Sequence, residues 1–288
     1  MELIIQQLLS GLLQALVLFL MSAGLMLIFG VSGVLNLAHG AFYMLGAYVL
    51  YTVTQYSTTP FWFAVVVSVL IVGCIGTVVE VLALRRVYTG GLLYEALVTF
   101  ATAIIIEELV RISWGSQQVT VPRPAFLGGE LNLWGVILPS YQLVILLAGV
   151  LVGLGLWWIL YHTRWGVFIR AASMDREMLA VLGVNVTRVF TSVFTIGVML
   201  AGVAGALAAP TLSLSPNMGS QIIMDAFAVV ILGGVGSLKG SLISAVLIGE
   251  IHSVTLLFWP GIGMPLVFLL MVAILLIRPQ GILSERQA

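Results

Sequence analysis

Long apolar runs separated by short polar breaks dominate the chain, covering 8–29, 38–56, 61–83, 95–113, 141–161, 189–209, 222–237, 241–258 and 263–277. A helix needs about 20 mostly apolar residues to cross a hydrocarbon core. Barrel strands would instead alternate apolar and polar positions over about 10 residues, and Leu143–Leu160 does not alternate. The pattern predicts an all-α, polytopic integral membrane protein with about 8–9 transmembrane helices. The count is a range because the seventh run is short and the stretch joining the first two is apolar but Gly-rich. Residues 1–288 therefore read as a single transmembrane domain without a soluble one.

Composition agrees. The chain is 61% apolar and 8% charged, with a mean hydropathy of +1.19. A soluble domain carries about 25% charged residues, so this surface suits a lipid bilayer, not water. The 11 Lys and Arg are balanced by 11 Asp and Glu, which leaves no basic footprint for nucleic acid. An ordinary soluble enzyme, a disordered chain and a nucleic-acid-binding protein are excluded.

Charge placement orients the helices. If 84–94, 162–188, the turn at Lys239 and the tail after 277 face the cytoplasm, that side holds all the Lys and Arg except Arg111 and Arg123. The positive-inside bias then puts the N-terminus outside and the C-terminus inside. No cleavable leader is expected, because the start lacks a basic n-region and its first apolar run is too long. Cys74, in the third run, reads as a packing residue.

Four features carry candidate chemistry. The stretch Gly30–Gly40 places Ser32, Asn36 and His39 among glycines between two apolar runs. Two readings stand: a broken helix lining a translocation route, since irregular backbone at membrane depth must be buried or line a wet cavity, or a plain cytoplasmic turn. Its pattern Gly30-x-x-Gly33-x-Leu35 recurs as Gly233-x-x-Gly236-x-Leu238, and paired interruptions can mark a transport path.

The second feature is the loop 162–188. Ala171, Met174, Met178, Val181 and Leu182 fall at helical spacing over 170–182, Gly183 offers a stop, and Thr187 a cap for the next span. Such a helix can dock in a partner's groove or lie on lipid headgroups. The third is the small-residue ladder Gly197, Ala201, Gly205, Ala209, which reads as close helix packing ended by Pro210.

The fourth is the set of ionisable residues within the runs. Glu107 and Arg111 are spaced to pair along one helix. Asp225 reads as opening the seventh span, where a carboxylate favours the helix dipole. Glu250 sits deep in the eighth span with His252 beside it, and a carboxylate there is a functional candidate. The closest approach to a phosphate loop, Gly233–Ser241, has Leu238 directly before Lys239, so no such loop is present. The three His have no metal-ligand spacing, and no metal or cofactor is expected.

The segments GVLNLAHGAFYMLGA (33–47), LGVNVTR (182–188), VILGGVGSLKG (230–240) and RPQGIL (278–283), in that order, resemble the membrane permease subunit of bacterial branched-chain amino acid ABC importers. The likeness runs over nearly the whole chain. It implies an inner-membrane permease without enzymatic activity of its own. Its expected partners are a second homologous permease subunit, two cytoplasmic ATPase subunits that hydrolyse ATP, and a periplasmic substrate-binding protein. It implies that 162–188 is the coupling loop, with Arg170, Ala171, Ala172, Asp175 and Gly183 meeting an ATPase. The loop departs from the general Glu-Ala-Ala pattern, since Arg170 precedes Ala171-Ala172 and Gly183 follows late. The implied cargo is a branched-chain or other small amino acid, or a related small carboxylate or amide. Ser32, Asn36, His39, Tyr43, Gly233, Gly236, Ser237 and Glu250 are the expected route residues. The alternative is an ion- or proton-coupled secondary transporter using Glu250, with His252 as its relay partner.

Overall fold

The structure is a computed structural model that describes residues 2–57, 59–88, 90–124, 127–133, 136–259, 262–278 and 280–283. Pro279 of the tail motif and Arg286 of the basic tail lie outside these residues. Among the described residues, the nine predicted runs correspond to nine helices: α1 (Glu2–Ser32), α2 (His39–Tyr56), α3 (Phe61–Leu82), α4 (Leu92–Trp114), α5 (Ser140–His162), α8 (Val186–Ala208), α9 (Met218–Gly233), α10 (Leu238–Phe258) and α11 (Gly263–Ile277). Between α5 and α8 lie the short helices α6 (Arg164–Met174) and α7 (Arg176–Val181). Four short strands, β1 (Val119–Thr120), β2 (Glu130–Leu133), β3 (Val136–Pro139) and β4 (Ser213–Leu214), form two antiparallel pairs, β1 with β4 and β2 with β3. Helices α1, α3, α5, α8 and α10 are long and apolar enough to cross a membrane, while α9 and α11 are shorter.

Helices α1 and α8 form the centre. In each, 72% of the most apolar stretch is buried, against 33% for α3 and 28% for α5. Glycine makes this possible. A Cβ on Gly202 would press on Val72 of α3, and one on Gly249 would stand 2.7 Å from the Ala15 nitrogen of α1. Gly40 of α2 meets Gly219 of α9, and Gly46 of α2 meets Gly202 of α8, in the same backbone-to-backbone manner. Small residues let helices approach until carbonyl and Cα atoms touch. The predicted ladder is thus a packing seam: Gly197, Ala201 and Gly205 are buried, and Pro210 falls in the tight turn Ala209–Thr211 after α8.

Side-chain hydrogen bonds stitch the bundle where no water competes. Ser68 donates to the Gly46 carbonyl (2.6 Å), Trp114 Nε1 to Thr52 (2.8 Å), and the Tyr141 hydroxyl to the Leu207 carbonyl (2.9 Å). The outward faces of α3, α4 and α5 carry exposed Phe63, Leu70, Phe100, Ile105, Leu151 and Trp158, as a lipid-facing rim requires. Cys74 is exposed on this rim, not packed inside as its sequence position suggests.

Three local expectations change. The helix expected over 170–182 is two, because Asp175 leaves helical geometry and its carboxylate accepts from the Glu177 and Met178 amides (2.9 Å each). Aspartate favours such a cap over a helix interior. The cap of α8 is Asn185, which accepts from the Arg188 amide (3.0 Å), rather than Thr187. Asp225 lies midway along α9 because that helix starts earlier, at Met218, so its carboxylate is too far from the first turn to act on the dipole. Gly183 is the helix stop that the sequence predicts, with φ of 82°.

Candidate functional site

Between α1 and α2 the backbone leaves the helix at Gly33 (φ 74°) and re-enters it at His39. This break is not a solvated turn. Asn36 and His39 are fully buried. The Leu35 carbonyl accepts from Thr99 of α4 (3.0 Å), and the His39 Nε2–H donates to the Met21 carbonyl (3.0 Å). A carbonyl only accepts, so the proton must sit on Nε2. Met21 lies about three turns back along α1 from Ser32, so the extended segment climbs beside α1 before α2 begins. Asn36 Oδ1 accepts from the Ala38 amide (3.1 Å), and Ser32 donates to Ile28 (2.6 Å). All three polar groups expected on the route therefore hold this break together.

The echoed turn after α9 meets the first break in space. Gly236 (φ 84°) lies opposite Gly30, whose Cβ would stand 3.3 Å from the Gly236 Cα. Gly233 packs on Gly240, and Ser237 caps α10 by accepting from the Gly240 amide (3.1 Å). The tail closes over this turn, with the Ile282 amide donating to the Leu232 carbonyl (2.8 Å). A cavity of about 450 Å³ opens here, bounded by Gly30, Val31, Tyr161, Arg170, Met174 and Gly236.

The α6–α7 loop lies against the same end. Ala172 and Leu179 are buried, Ala171 is half-buried, and Met174, Met178, Val181 and Leu182 are exposed by 57% or more. Arg170 donates to the Leu160 carbonyl and lies over the Tyr161 ring. Arg176 donates to the Ser32 carbonyl (3.2 Å) and stacks on Phe190. This direct tie between the loop and the end of α1 was not legible in the sequence, where Arg176 is one charge in a cluster. Nearby, Glu80 is fully buried and accepts from Arg85 (3.1 Å), Thr191 (2.9 Å) and Tyr88 (3.3 Å). Burial, with the Glu80 carboxylate beside it, pushes the Tyr88 phenol above the usual phenol range.

A larger cavity of about 780 Å³ lies among α1, α5, α9 and the turn after α8. Leu13, Val17, Leu18, Ile145 and Ile222 form its apolar wall, and Gln14, Tyr43, Gln142, Ser213, Ser215 and Asp225 its polar one. Tyr43 is the expected route residue that reaches it. The Asp225 carboxylate stands 3.8 Å from His252 Nε2, beyond hydrogen-bond range. His252 Nδ1 is 3.2 Å from Gln14 Nε2. Glu250 points elsewhere, its carboxylate packed beside Gly11 and Ser253. His252 thus meets α1 at Gln14, and Glu250 meets it at Gly11. Among the described residues no cluster of His, Cys, Asp and Glu could hold a metal ion.

A bundle of long apolar helices with a buried non-helical crossing, flanked by two cavities, defines a multi-pass membrane permease. Residues 7–277 match the family described as the permease component of the branched-chain amino acid transport system, and the chain belongs to that family. The high-affinity branched-chain amino acid transport system permease protein BraD of Pseudomonas aeruginosa is 28% identical, over 98% of this chain and 96% of its own. The corresponding protein LivH of Escherichia coli K12 is 27% identical over the same shares. LivM of Salmonella typhimurium, also such a permease protein, is 28% identical over 92% of this chain and 67% of its own. PsaBC from Streptococcus pneumoniae shares the fold, with a TM-score of 0.51 at 13% identity, over 96% of this chain and 92% of that one. Membership makes this chain a transport subunit of ABC type, and nothing among its relatives favours the ion-coupled alternative.

Proposed function

We propose that this chain is the membrane permease of an ATP-driven importer that moves a branched-chain or other small amino acid across the bacterial inner membrane, N-terminus outside and C-terminus in the cytoplasm. The names of its relatives support the cargo class, and the loop charges support the orientation. A second, homologous permease, two ATPases and a periplasmic binding protein complete the assembly.

The observation that carries the coupling role is the exposed stripe Met174, Met178, Val181 and Leu182. Apolar side chains presented on short, capped helices fit a partner's groove. Movement of α7 reaches the transport domain through Arg176 and the Ser32 carbonyl. Arg170, Ala171 and Ala172 root the loop on the bundle, while Asp175 and Gly183 set its two bends. The two cavities flank a packed knot along α1, where Gly24, Gly197 and His39 meet, so passage requires this knot to part. Tyr43 on one side and Gly236 on the other mark the route.

The test is purification of the tagged chain from its host in mild detergent, with mass spectrometry and reconstitution into vesicles. A second permease, two ATPases and ATP-dependent uptake of leucine are expected. A lone homo-oligomer whose uptake ignores ATP would overturn the reading.

A further inference from the structure

The α9 carboxylate in the larger cavity has no hydrogen-bonded partner, only His252 at ion-pair distance. Asp225 is 8% exposed, and its Oδ1 accepts no hydrogen bond. His252 Nε2, 3.8 Å away, is likewise without a hydrogen-bond partner. A carboxylate buried among apolar helices is costly unless something compensates it. Here the carboxylate faces a cavity of about 780 Å³, within the range of about 300–1,000 Å³ typical of small-molecule sites.

The rest of the lining narrows what fits. Among the described residues it contains no Lys or Arg, and Asp225 is its one acidic residue. A ligand's carboxylate meets only neutral donors there, such as Gln142, Ser213 and Ser215. A ligand's ammonium meets the Asp225 carboxyl group. The aliphatic wall of Leu13, Val17, Leu18, Ile145 and Ile222 matches a branched hydrocarbon side chain and offers nothing to a polar one.

We infer that this cavity is a substrate subsite in the permease itself, in which Asp225 pairs with the ammonium group of an aliphatic α-amino acid. Its side chain lies against the α1–α5–α9 wall. The inference deepens the transport reading by making the permease, and not only a binding protein, discriminate amines from acids and amides that lack an amine.

Binding of radiolabelled L-leucine to the purified assembly, without binding protein, tests it. Leucinamide keeps the amine and loses the carboxylate; 4-methyl-2-oxopentanoate keeps the carboxylate and side chain but has no amine. Leucinamide is expected to compete with leucine, and the oxo acid about tenfold less well or worse, the scale of one charge-assisted hydrogen bond. Asp225→Asn is expected to weaken leucine binding by a similar factor, with Asp225→Glu recovering part of it. No leucine binding at millimolar concentration, equal competition by the oxo acid, or unchanged binding in Asp225→Asn would each overturn the inference. The competition series needs only the wild-type protein, so a variant that fails to assemble leaves it decisive. Failure of the importer reading shows separately, as uptake indifferent to ATP.

Discussion

Gly24 of α1 and Gly197 of α8 touch backbone to backbone: a Cβ on Gly197 would stand 2.7 Å from the Gly24 carbonyl oxygen and from Ile28. Neither helix can yield without disturbing the other, because both are buried along most of their length. Gly197→Ala is therefore expected to lower stability by about 1–3 kcal/mol, the usual cost of overpacking. Gly155 of α5, where a Cβ meets nothing within 4 Å, is the comparison site, and Gly155→Ala is expected to be neutral or mildly stabilising. Heating followed by size-exclusion detection of the folded protein measures both.

Glu80 is expected to be a structural carboxylate. Glu80→Gln leaves three donors aimed at a weaker acceptor and should cost about 1–3 kcal/mol. Because Arg85 and Glu80 share one network, the double change with Arg85→Ala should cost less than the sum of the singles. Strict additivity in thermal denaturation would refute the network.

The coupling loop yields a functional prediction. Asp175→Ala removes both cap bonds of α7, worth about 1 kcal/mol, and Gly183→Pro is incompatible with φ of 82°. Both variants are expected to insert normally, and the assemblies that carry them to retain ATPase activity, while uptake falls several-fold. Arg176→Ala should do the same by cutting the tie to Ser32. Wild-type uptake at matched expression would remove the loop from the coupling path.

Glu250 separates the transport readings. Its carboxylate packs against Gly11 and does not line the larger cavity, so Glu250→Gln is expected to leave ATP-driven uptake near that of the wild type. Loss of uptake with normal assembly would restore it as a route residue.

The helices themselves were legible because membrane spans write themselves as apolar runs, and the break at 33–38 was visible as glycines around Asn36 and His39. Its burial was not, since a cytoplasmic turn and a crossing inside protein use the same residues. Asp225 was misplaced because the start of α9, at Met218, follows a proline-rich turn without an apolar signature. The approach of His252 to Asp225 of α9 depends on which face α10 turns to its neighbours, and α10 scatters its polar residues around the helix, so periodicity leaves that face open. Arg176 illustrates the same limit for charges: its partner is a backbone carbonyl, which no sequence pattern marks.

The seam between α1 and α10 bears on how the protein is made. Gln7 donates to the Ser253 carbonyl, Ser253 returns a hydrogen bond to the Gln7 carbonyl, and Gln14 meets His252. Helix α1 thus finds these polar partners only on α10, with Gln7 and Ser253 separated by 246 positions in the sequence. Until α10 is made, Gln7 and Gln14 lack these partners, and contacts this distant in sequence close slowly. A nascent chain halted before Leu238 should be held by the insertion machinery or degraded, and α10 is the step that commits the permease to its final form.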